Sequence, residues 1–149
     1  LVAAALHAGT LPGLPDVQNI EREVTRGHSR IDFAVQEKPT VHWIEVKSVT
    51  LVAKGTARFP DAPTRRGTRH LQVLQEVAAA GARATVFFII QREDAQAFTP
   101  HDERDPAFGA ALRAAFHAGV DIRALRCRVT YEKIQLGDEI PVHLDSPIL

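Results

Sequence analysis

The stretch from Glu23 to Lys47 constrains the fold more than any other, because polar and apolar residues alternate across two chain reversals. Gly27 and His28 separate the first two strand-like segments, and glycine at the first central position suits a two-residue type II′ turn. The second reversal lies around Lys38 and Pro39. The sequence therefore predicts three adjacent antiparallel strands.

Pairing of these strands without slippage brings three carboxylates into a row. Glu23 then faces Asp32, and Asp32 faces Glu45. Because strand side chains alternate between faces, these three and Lys47 are expected on one face of the sheet. The opposite, apolar face is expected to carry Val24, Ile31, Phe33, Ile44 and Val46.

Carboxylates that face each other on neighbouring strands repel. At about 5 Å and an effective dielectric of ~20, one such pair costs roughly 3 kcal/mol. A divalent cation would convert this cost into a binding site, and Lys47 could hold or deprotonate a water there. Replacing Glu45 with glutamine is then expected to stabilise the metal-free chain. The alternative is a solvated polar face on which Lys47 only balances Glu45.

The composition is that of a globular protein with one domain. The chain has 149 residues, of which 45% are hydrophobic, so it can bury a sizeable core. Eighteen basic residues balance eighteen acidic ones, which argues against a purely electrostatic nucleic-acid binder. A single cysteine, Cys127, excludes an internal disulfide and a cysteine-rich zinc site. With no apolar run of membrane-spanning length, a cytoplasmic protein is expected.

The remaining elements are predicted from apolar periodicity and capping residues. In chain order they are a helix over Leu1–Ala8 ended by Gly9, a helix over Thr68–Ala80 capped by Thr68, a buried strand over Ala84–Ile90, a helix that begins at Asp105-Pro106 and buries Phe108, Leu112, Ala115 and Phe116, a strand over Val120–Val129 and a short strand over Ile140–Leu144. Ser48–Arg69 and Gln91–Arg104 are expected to be mainly loops. Hairpins followed by helix–strand alternation predict an α/β fold with a mixed sheet flanked by helices.

A nuclease motif is visible in the same hairpins. Asp32 followed by Glu45-Val46-Lys47 has the form of the PD-(D/E)xK motif, with Ile31 where the proline would stand. The segments SRIDF, IEVKSVTL, FPDAPTRRGTRHL and FFIIQR closely resemble the sugar fermentation stimulation protein A family. The resemblance implies a restriction-endonuclease-like core, DNA binding and a role in regulating sugar metabolism. A small N-terminal OB-like domain precedes this region in the family, and this chain is expected to lack it.

The resemblance also implies a catalytic site made of Asp32, Glu45 and Lys47. Glu23 is the expected third carboxylate for a bound Mg²⁺ or Mn²⁺. The predicted function is DNA binding with metal-dependent hydrolysis of phosphodiesters. One alternative is a DNA-binding regulator of sugar (maltose) metabolism genes that does not cut, and another is a carboxylate-rich module for a small phosphorylated ligand. DNA, double- or single-stranded, is the expected partner, no membrane is expected, and a homodimer is left open.

A basic segment lies between Lys54 and Arg69, where five basic residues accompany one acid, Asp61. Arginines beside a helix N-terminus bind phosphate well, because free backbone N–H groups add to their charge. Asp61 either adds a carboxylate to the site or caps a turn after Pro60. The alternative is a solvated loop with His70 in an ordinary surface or packing role. The residues predicted to contact DNA phosphates are Arg65, Arg66, Arg69 and His70.

Overall fold

A computed structural model describes residues 1–14, 18–37 and 39–145, with only the backbone described at residue 18. Within these ranges the chain forms three helices and nine strands. Their bounds are α1 Val2–Ala8, β1 Gln18–Arg26, β2 Ser29–Glu37, β3 Thr40–Val49, β4 Leu51–Ala53, β5 Thr56–Phe59, α2 Arg65–Ala79, β6 Arg83–Ile90, β7 Ala97–Pro100, α3 Pro106–His117, β8 Asp121–Val129 and β9 Ile134–Ile140.

The main sheet has six strands in the order β1-β2-β3-β6-β8-β9. The β1–β2 and β2–β3 pairs are antiparallel, the β3–β6 and β6–β8 pairs are parallel, and β9 returns antiparallel to β8. Parallel neighbours need long crossovers, and α2 and α3 lie in the two crossovers. The predicted α/β fold with a mixed sheet and flanking helices is confirmed.

The two hairpins keep the predicted register. Val24 pairs with Ile31, and Phe33 pairs with Ile44. Gly27 has a φ of +62°, the positive value that a type II′ turn requires at its first central position. Lys38, in the second predicted turn, lies outside the described residues.

The expected alternation of faces fails at Asp32. Ile31 packs in the core that includes α2 and α3, whereas Phe33 packs with α1 on the other side of the sheet. The prediction that Ile31 and Phe33 share one apolar face is therefore wrong. The physical reason is that the Asp32 side chain accepts the N–H of Val46, so this side-chain bond interrupts the regular ladder between β2 and β3.

A second, three-stranded sheet of β4, β5 and β7 occupies segments that were expected to be loops. Lys54 and Gly55 both have positive φ, of 52° and 79°, between the paired residues Ala53 and Thr56. Two positive φ values in a two-residue connection are the pattern of a type I′ hairpin turn. The loop prediction is corrected here, because β5 also gains a parallel partner, β7, from far along the chain.

Helix α2 begins earlier than predicted. Thr64, and not Thr68, is its N-cap, and the Thr64 Oγ1 accepts the N–H of Gly67 at 2.9 Å. The start of α3 is confirmed, because Asp105 Oδ1 accepts the N–H of Phe108 at 3.0 Å. Thr64 also donates its own N–H to Asp105 Oδ2 at 2.8 Å, which ties the two helix N-termini together.

Two smaller predictions near the C-terminus are wrong. Phe116 was expected in the buried stripe of α3, but it is 52% exposed. The last strand among the described residues is β9, Ile134–Ile140. In the segment that was expected to form the last strand, Val142 makes an isolated bridge to Phe98. Among the described residues, no helix has the length and apolar character needed to cross a membrane.

Candidate active site

Four of the predicted site residues meet where β2, β3 and α2 come together. Asp32 lies on β2, Glu45 and Lys47 lie two positions apart on β3, and His70 lies on α2. Glu45 and His70 are buried, with 1% and 4% of their surface exposed. The sheet face that carries Glu45 and Lys47 is thus covered by α2 and is not solvated, contrary to the polar-face alternative.

Asp32 and Glu45 are joined through the backbones of each other's strands. Asp32 Oδ2 accepts the N–H of Val46 at 2.8 Å, and Glu45 Oε1 accepts the N–H of Asp32 at 3.3 Å. These two bonds replace ladder bonds at the point where the β2–β3 pairing ends. The two carboxylates are therefore fixed by the same hairpin that the sequence pattern predicts.

The second oxygen of Glu45 faces two basic groups. Lys47 Nζ donates to Glu45 Oε2 at 3.2 Å, and His70 Nδ1 contacts the same oxygen. Lys47 Nζ also lies 2.9 Å from His70 Nδ1. No buried side-chain nitrogen or oxygen lacks a hydrogen-bond partner in the part of the chain that the structure describes. The cluster is consequently well fixed before any ligand binds.

The two buried acids have opposite pKa shifts. Burial, together with the hydrogen bond and the charge of Glu45, raises the pKa of Asp32 to about 7. Burial also acts to raise the pKa of Glu45, but hydrogen bonds from His70 and Asp32 and the charge of Lys47 outweigh it and lower this pKa to about 2. Burial and the repulsion between the two carboxylates therefore raise the pKa of Asp32, while Glu45 stays ionised. The expectation that Glu45→Gln stabilises the metal-free chain stays a prediction, and the basic partners of Glu45 act against it.

The donor set fits a hard cation held mostly by water. Mg²⁺ commonly takes one or two protein carboxylates and keeps several waters. Asp32 and Glu45 supply two carboxylates, and the raised pKa of Asp32 marks a place where added positive charge is favourable. The described residues contain no group of three or more His, Cys, Asp or Glu side chains that could hold a metal ion. A site of two carboxylates is what these residues can provide.

Glu23 is not brought into contact with the other two carboxylates. Its φ is +53°, its side chain is 70% exposed, and its Oε2 lies 3.9 Å from Arg30 Nη1. It does line a cavity of about 430 Å³ together with Asp32. Its role as a third metal ligand stays a prediction.

A second cavity, of about 470 Å³, lies on the other side of the cluster. Arg66, Arg69 and His70 line it from α2, as the sequence predicts for phosphate-binding residues. His28, in the β1–β2 turn, and Arg30, near the start of β2, also line it, and sequence reasoning missed both. Their only signal was their position close to Gly27, since nothing in the sequence shows that this hairpin faces α2. We call this space, lined also by Thr25, Gly27 and Ser29, the basic cavity.

Two predicted site residues stand apart from both cavities. Arg65 is exposed in the first turn of α2, and Asp61 is exposed before that helix. Neither lines the basic cavity or the cavity beside Asp32. Their roles in phosphate or metal binding stay predictions.

Comparison with known proteins identifies the family. A family model described as "Sugar fermentation stimulation protein RE domain" matches residues 1–133. The chain belongs to the sugar fermentation stimulation protein family. A family member from Chloroflexus aurantiacus is 50% identical over 142 residues, which cover 95% of this chain and 55% of that protein. One from Geobacter sulfurreducens is 46% identical over 143 residues, covering 95% of this chain and 61% of that protein.

A solved structure of a sugar fermentation stimulation protein has the same fold. It is SfsA of Pyrococcus furiosus in complex with Ca²⁺, which is 32% identical with a TM-score of 0.87. The match covers 93% of this chain and 61% of that one. The chain therefore spans a little over half the length of the family members that it matches.

Proposed function

We propose that this domain is a divalent-cation-dependent phosphodiesterase that acts on DNA and is built on a PD-(D/E)xK core. One observation carries the proposal: Asp32 and the Glu45–Lys47 pair converge with His70 at the edge of the basic cavity. Carboxylates for a cation, a fixed ammonium group and a phosphate-sized basic space are thus adjacent. These are the parts that phosphodiester hydrolysis needs.

Two further observations support the core and the cation. The aspartate lies on β2 and the ExK residues lie on the neighbouring strand β3 of a mixed sheet, which is the arrangement that the motif requires. The family member from Pyrococcus furiosus was solved with Ca²⁺, a hard cation with oxygen ligands like Mg²⁺ and Mn²⁺. Mg²⁺ or Mn²⁺ held by Asp32 and Glu45 is accordingly part of the proposal.

The position of each side chain in the site determines its proposed role in hydrolysis. A bound Mg²⁺ or Mn²⁺ supplies Lewis acidity toward the phosphoryl group and acidifies a water. Lys47 Nζ, which donates to Glu45 and lies beside His70, orients the attacking water or stabilises negative charge on the phosphoryl oxygens. Asp32 is fixed by the N–H of Val46 and faces the cavity opposite the basic one. The scissile phosphate then lies between the two cavities.

One observation favours a second candidate, a DNA-binding regulator that does not cut. Glu45 already has Lys47, His70 and the Asp32 N–H as partners, so a cation must compete with them. The basic cavity would serve such a regulator equally well. The two candidates differ only in whether Glu45 supports metal-dependent chemistry.

Plasmid nicking with Mn²⁺ tests the proposal, and Glu45→Gln is the decisive variant. Wild type should nick only with the metal and stop with EDTA, while Glu45→Gln should lose activity by roughly 10²-fold or more. The stabilisation that millimolar Mn²⁺ gives wild type by mass action, about 2.7 kcal/mol at one hundred times Kd, should also shrink in this variant. Glu76→Gln makes the same chemical change at an exposed position on α2 and should behave as wild type.

The regulator would give a different set of results. Mn²⁺ would shift the melting temperature of wild type and Glu45→Gln equally, no nicking would be seen with either, and DNA binding would persist in both. That combination contradicts the phosphodiesterase.

A further inference from the structure

The basic cavity has two walls from distant parts of the chain. Arg66, Arg69 and His70 come from α2, and His28 and Arg30 come from the turn end of the β1–β2 hairpin. None of its lining residues is acidic. Three guanidinium groups and two imidazoles thus face one space without an opposing carboxylate in its lining.

The charges of the three arginines in this cavity are hardly compensated, whereas His70 is paired with Glu45. Among the described residues, no hydrogen bond or ion pair involves the guanidinium of Arg66 or Arg69. Arg30 has a carboxylate near it, Glu23, at 3.9 Å, but both side chains are largely exposed, at 63% and 70%. An exposed pair of this kind contributes little, so Arg30 is free to turn toward an anion.

The number of charges and the volume point to a phosphate ligand larger than a single phosphodiester. One phosphodiester carries one negative charge, whereas a terminal phosphate monoester carries about −1.5 to −2 near neutral pH. Three arginines match either two or three consecutive phosphodiesters or one terminal monoester with its neighbour. The volume of about 470 Å³ lies within the usual range for ligand pockets, roughly 300–1,000 Å³.

We propose that the basic cavity binds phosphate groups of a nucleic-acid strand next to the scissile bond, and that the turn end of the β1–β2 hairpin forms half of this site. The position next to the scissile bond rests on the proposed function, because His70 belongs to both the cavity and the catalytic cluster. Arg30, near the start of β2, is the residue of this hairpin that contacts phosphate. Arg65, next to Arg66 in the chain, is outside the cavity and contributes only through its distant charge.

The nucleic-acid strand is bound mainly on one side of the scissile bond. The cavity on the other side of the cluster is lined by one arginine, Arg22, together with Asp32 and Glu23, and has mixed polar and apolar walls. It offers less positive charge to phosphates than the basic cavity, which three arginines line without an acidic residue. The nucleic-acid strand is therefore bound through its phosphates on one side of the scissile bond, and the nucleotides on the other side are bound weakly.

Metal-free binding of a labelled oligonucleotide, measured in EDTA over a range of salt concentrations, tests this site. Arg30→Gln and Arg66→Gln should each reduce the slope of log K against log salt, by about 0.9 for duplex DNA or about 0.7 for a single strand. Arg65→Gln is the discriminating comparison and should reduce it much less. Arg104→Gln, an exposed arginine between β7 and α3, controls for net charge alone.

A second experiment distinguishes a terminal phosphate from internal phosphodiesters. The same oligonucleotide is compared with a 5′-phosphate and with a 5′-hydroxyl. A terminal site predicts that removal of the phosphate weakens binding as much as Arg66→Gln does, with no further loss when both changes are combined. A site for internal phosphodiesters predicts equal binding of both oligonucleotides and an undiminished effect of Arg66→Gln.

The inference is overturned if Arg65→Gln and Arg66→Gln change the slope equally while Arg30→Gln has no effect. That result describes a diffuse basic surface around α2. The nicking assay tests the proposed function separately. If plasmid is nicked but Arg30→Gln leaves the slope unaltered, the phosphate site is rejected and the phosphodiesterase is retained. If the slopes change as expected but no nicking occurs, the phosphate site is retained and the phosphodiesterase is rejected. All four arginines are exposed on the surface, so thermal melts of the variants should match wild type.

Discussion

At the scale of the residue, Asp32 determines how the metal-free site responds to pH. Its pKa is raised from 3.8 to about 7, so between these values the folded chain holds a proton that the unfolded chain has lost. Stability contributed by this group is therefore present at low pH and lost as pH rises toward 7. Glu45 acts in the opposite sense at lower pH, since its pKa falls from 4.5 to about 2 and its contribution is lost on acidification through that window.

Asp32→Asn should remove the Asp32 part of this dependence. Asparagine keeps an acceptor for the N–H of Val46 and can donate to Glu45, as the protonated aspartic acid does. In EDTA, wild type should lose about 1 kcal/mol of stability from Asp32 between pH 5 and pH 8, after allowance for its partial exposure. Denaturant unfolding of both proteins at the two pH values measures this, and parallel profiles would contradict the raised pKa.

The sequence predicted contacts within the hairpins better than contacts between the hairpins and α2. The approach of Asp32, Glu45 and Lys47 follows from hairpin register, which is local. The contact of His70 with Glu45 and the approach of Arg30 to Arg66 depend on how α2 packs across the sheet. No spacing within one element encodes such a contact, so the β1–β2 wall of the basic cavity was missed.

At the scale of the element, Gly67 explains how closely the start of α2 is packed. A Cβ at this position would lie 2.9 Å from Thr64 Cγ2, 3.0 Å from Thr64 Oγ1 and 3.3 Å from the Phe108 ring. Glycine at this position lets the capping threonine and α3 approach the helix. The N-terminus of α2, which carries Arg66 and Arg69, is positioned by this approach.

Gly67→Ala should therefore destabilise the protein, although alanine is ordinarily the better helix former by about 1 kcal/mol. The clash should cost roughly 1–3 kcal/mol and displace the Thr64 cap. Thr64→Ser, which removes Cγ2 and keeps the capping oxygen, should recover part of the loss in the double variant. Thermal or denaturant unfolding of the three variants gives the answer, and a stabilised Gly67→Ala would refute the packing argument.

Elements with a strong periodic pattern were predictable, and short ones were not. The stripe of α2, the buried run of β6 and the Asp105-Pro106 start of α3 are each encoded within a few residues. The strands β4, β5 and β7 have only three or four residues, and β5 acquires its parallel partner from a distant segment. Lys54-Gly55 was the one local signal of that hairpin.

At the scale of the whole molecule, Phe88 connects the two sheets. It lies on β6 of the main sheet, is fully buried and stacks on Phe98 of β7 with ring centroids 4.2 Å apart. It also contacts Phe59 of β5 and Phe108 of α3 at centroid distances of 5.7 and 6.3 Å. The small sheet thus depends on the main sheet for its apolar contacts.

Phe88→Ala should cost about 3–5 kcal/mol and weaken the small sheet first. Phe87→Ala is the matched control, because the neighbouring Phe87 is equally buried but packs toward α1. Amide hydrogen exchange should accelerate in β4, β5 and β7 for the first variant and around α1 for the second. If exchange accelerated in the same elements in both variants, the apolar cores on the two sides of the main sheet would not be independent.

The backbone hydrogen bonds accepted by Asp32 and Glu45 also determine which substitutions can test the proposed activity without disturbing the hairpin. Each carboxylate satisfies a backbone N–H, Asp32 that of Val46 and Glu45 that of Asp32 itself. Truncation to alanine therefore deprives the hairpin of an acceptor as well as removing a charge. Asparagine and glutamine retain the acceptor, so they remove a carboxylate charge from the site while leaving the hairpin intact.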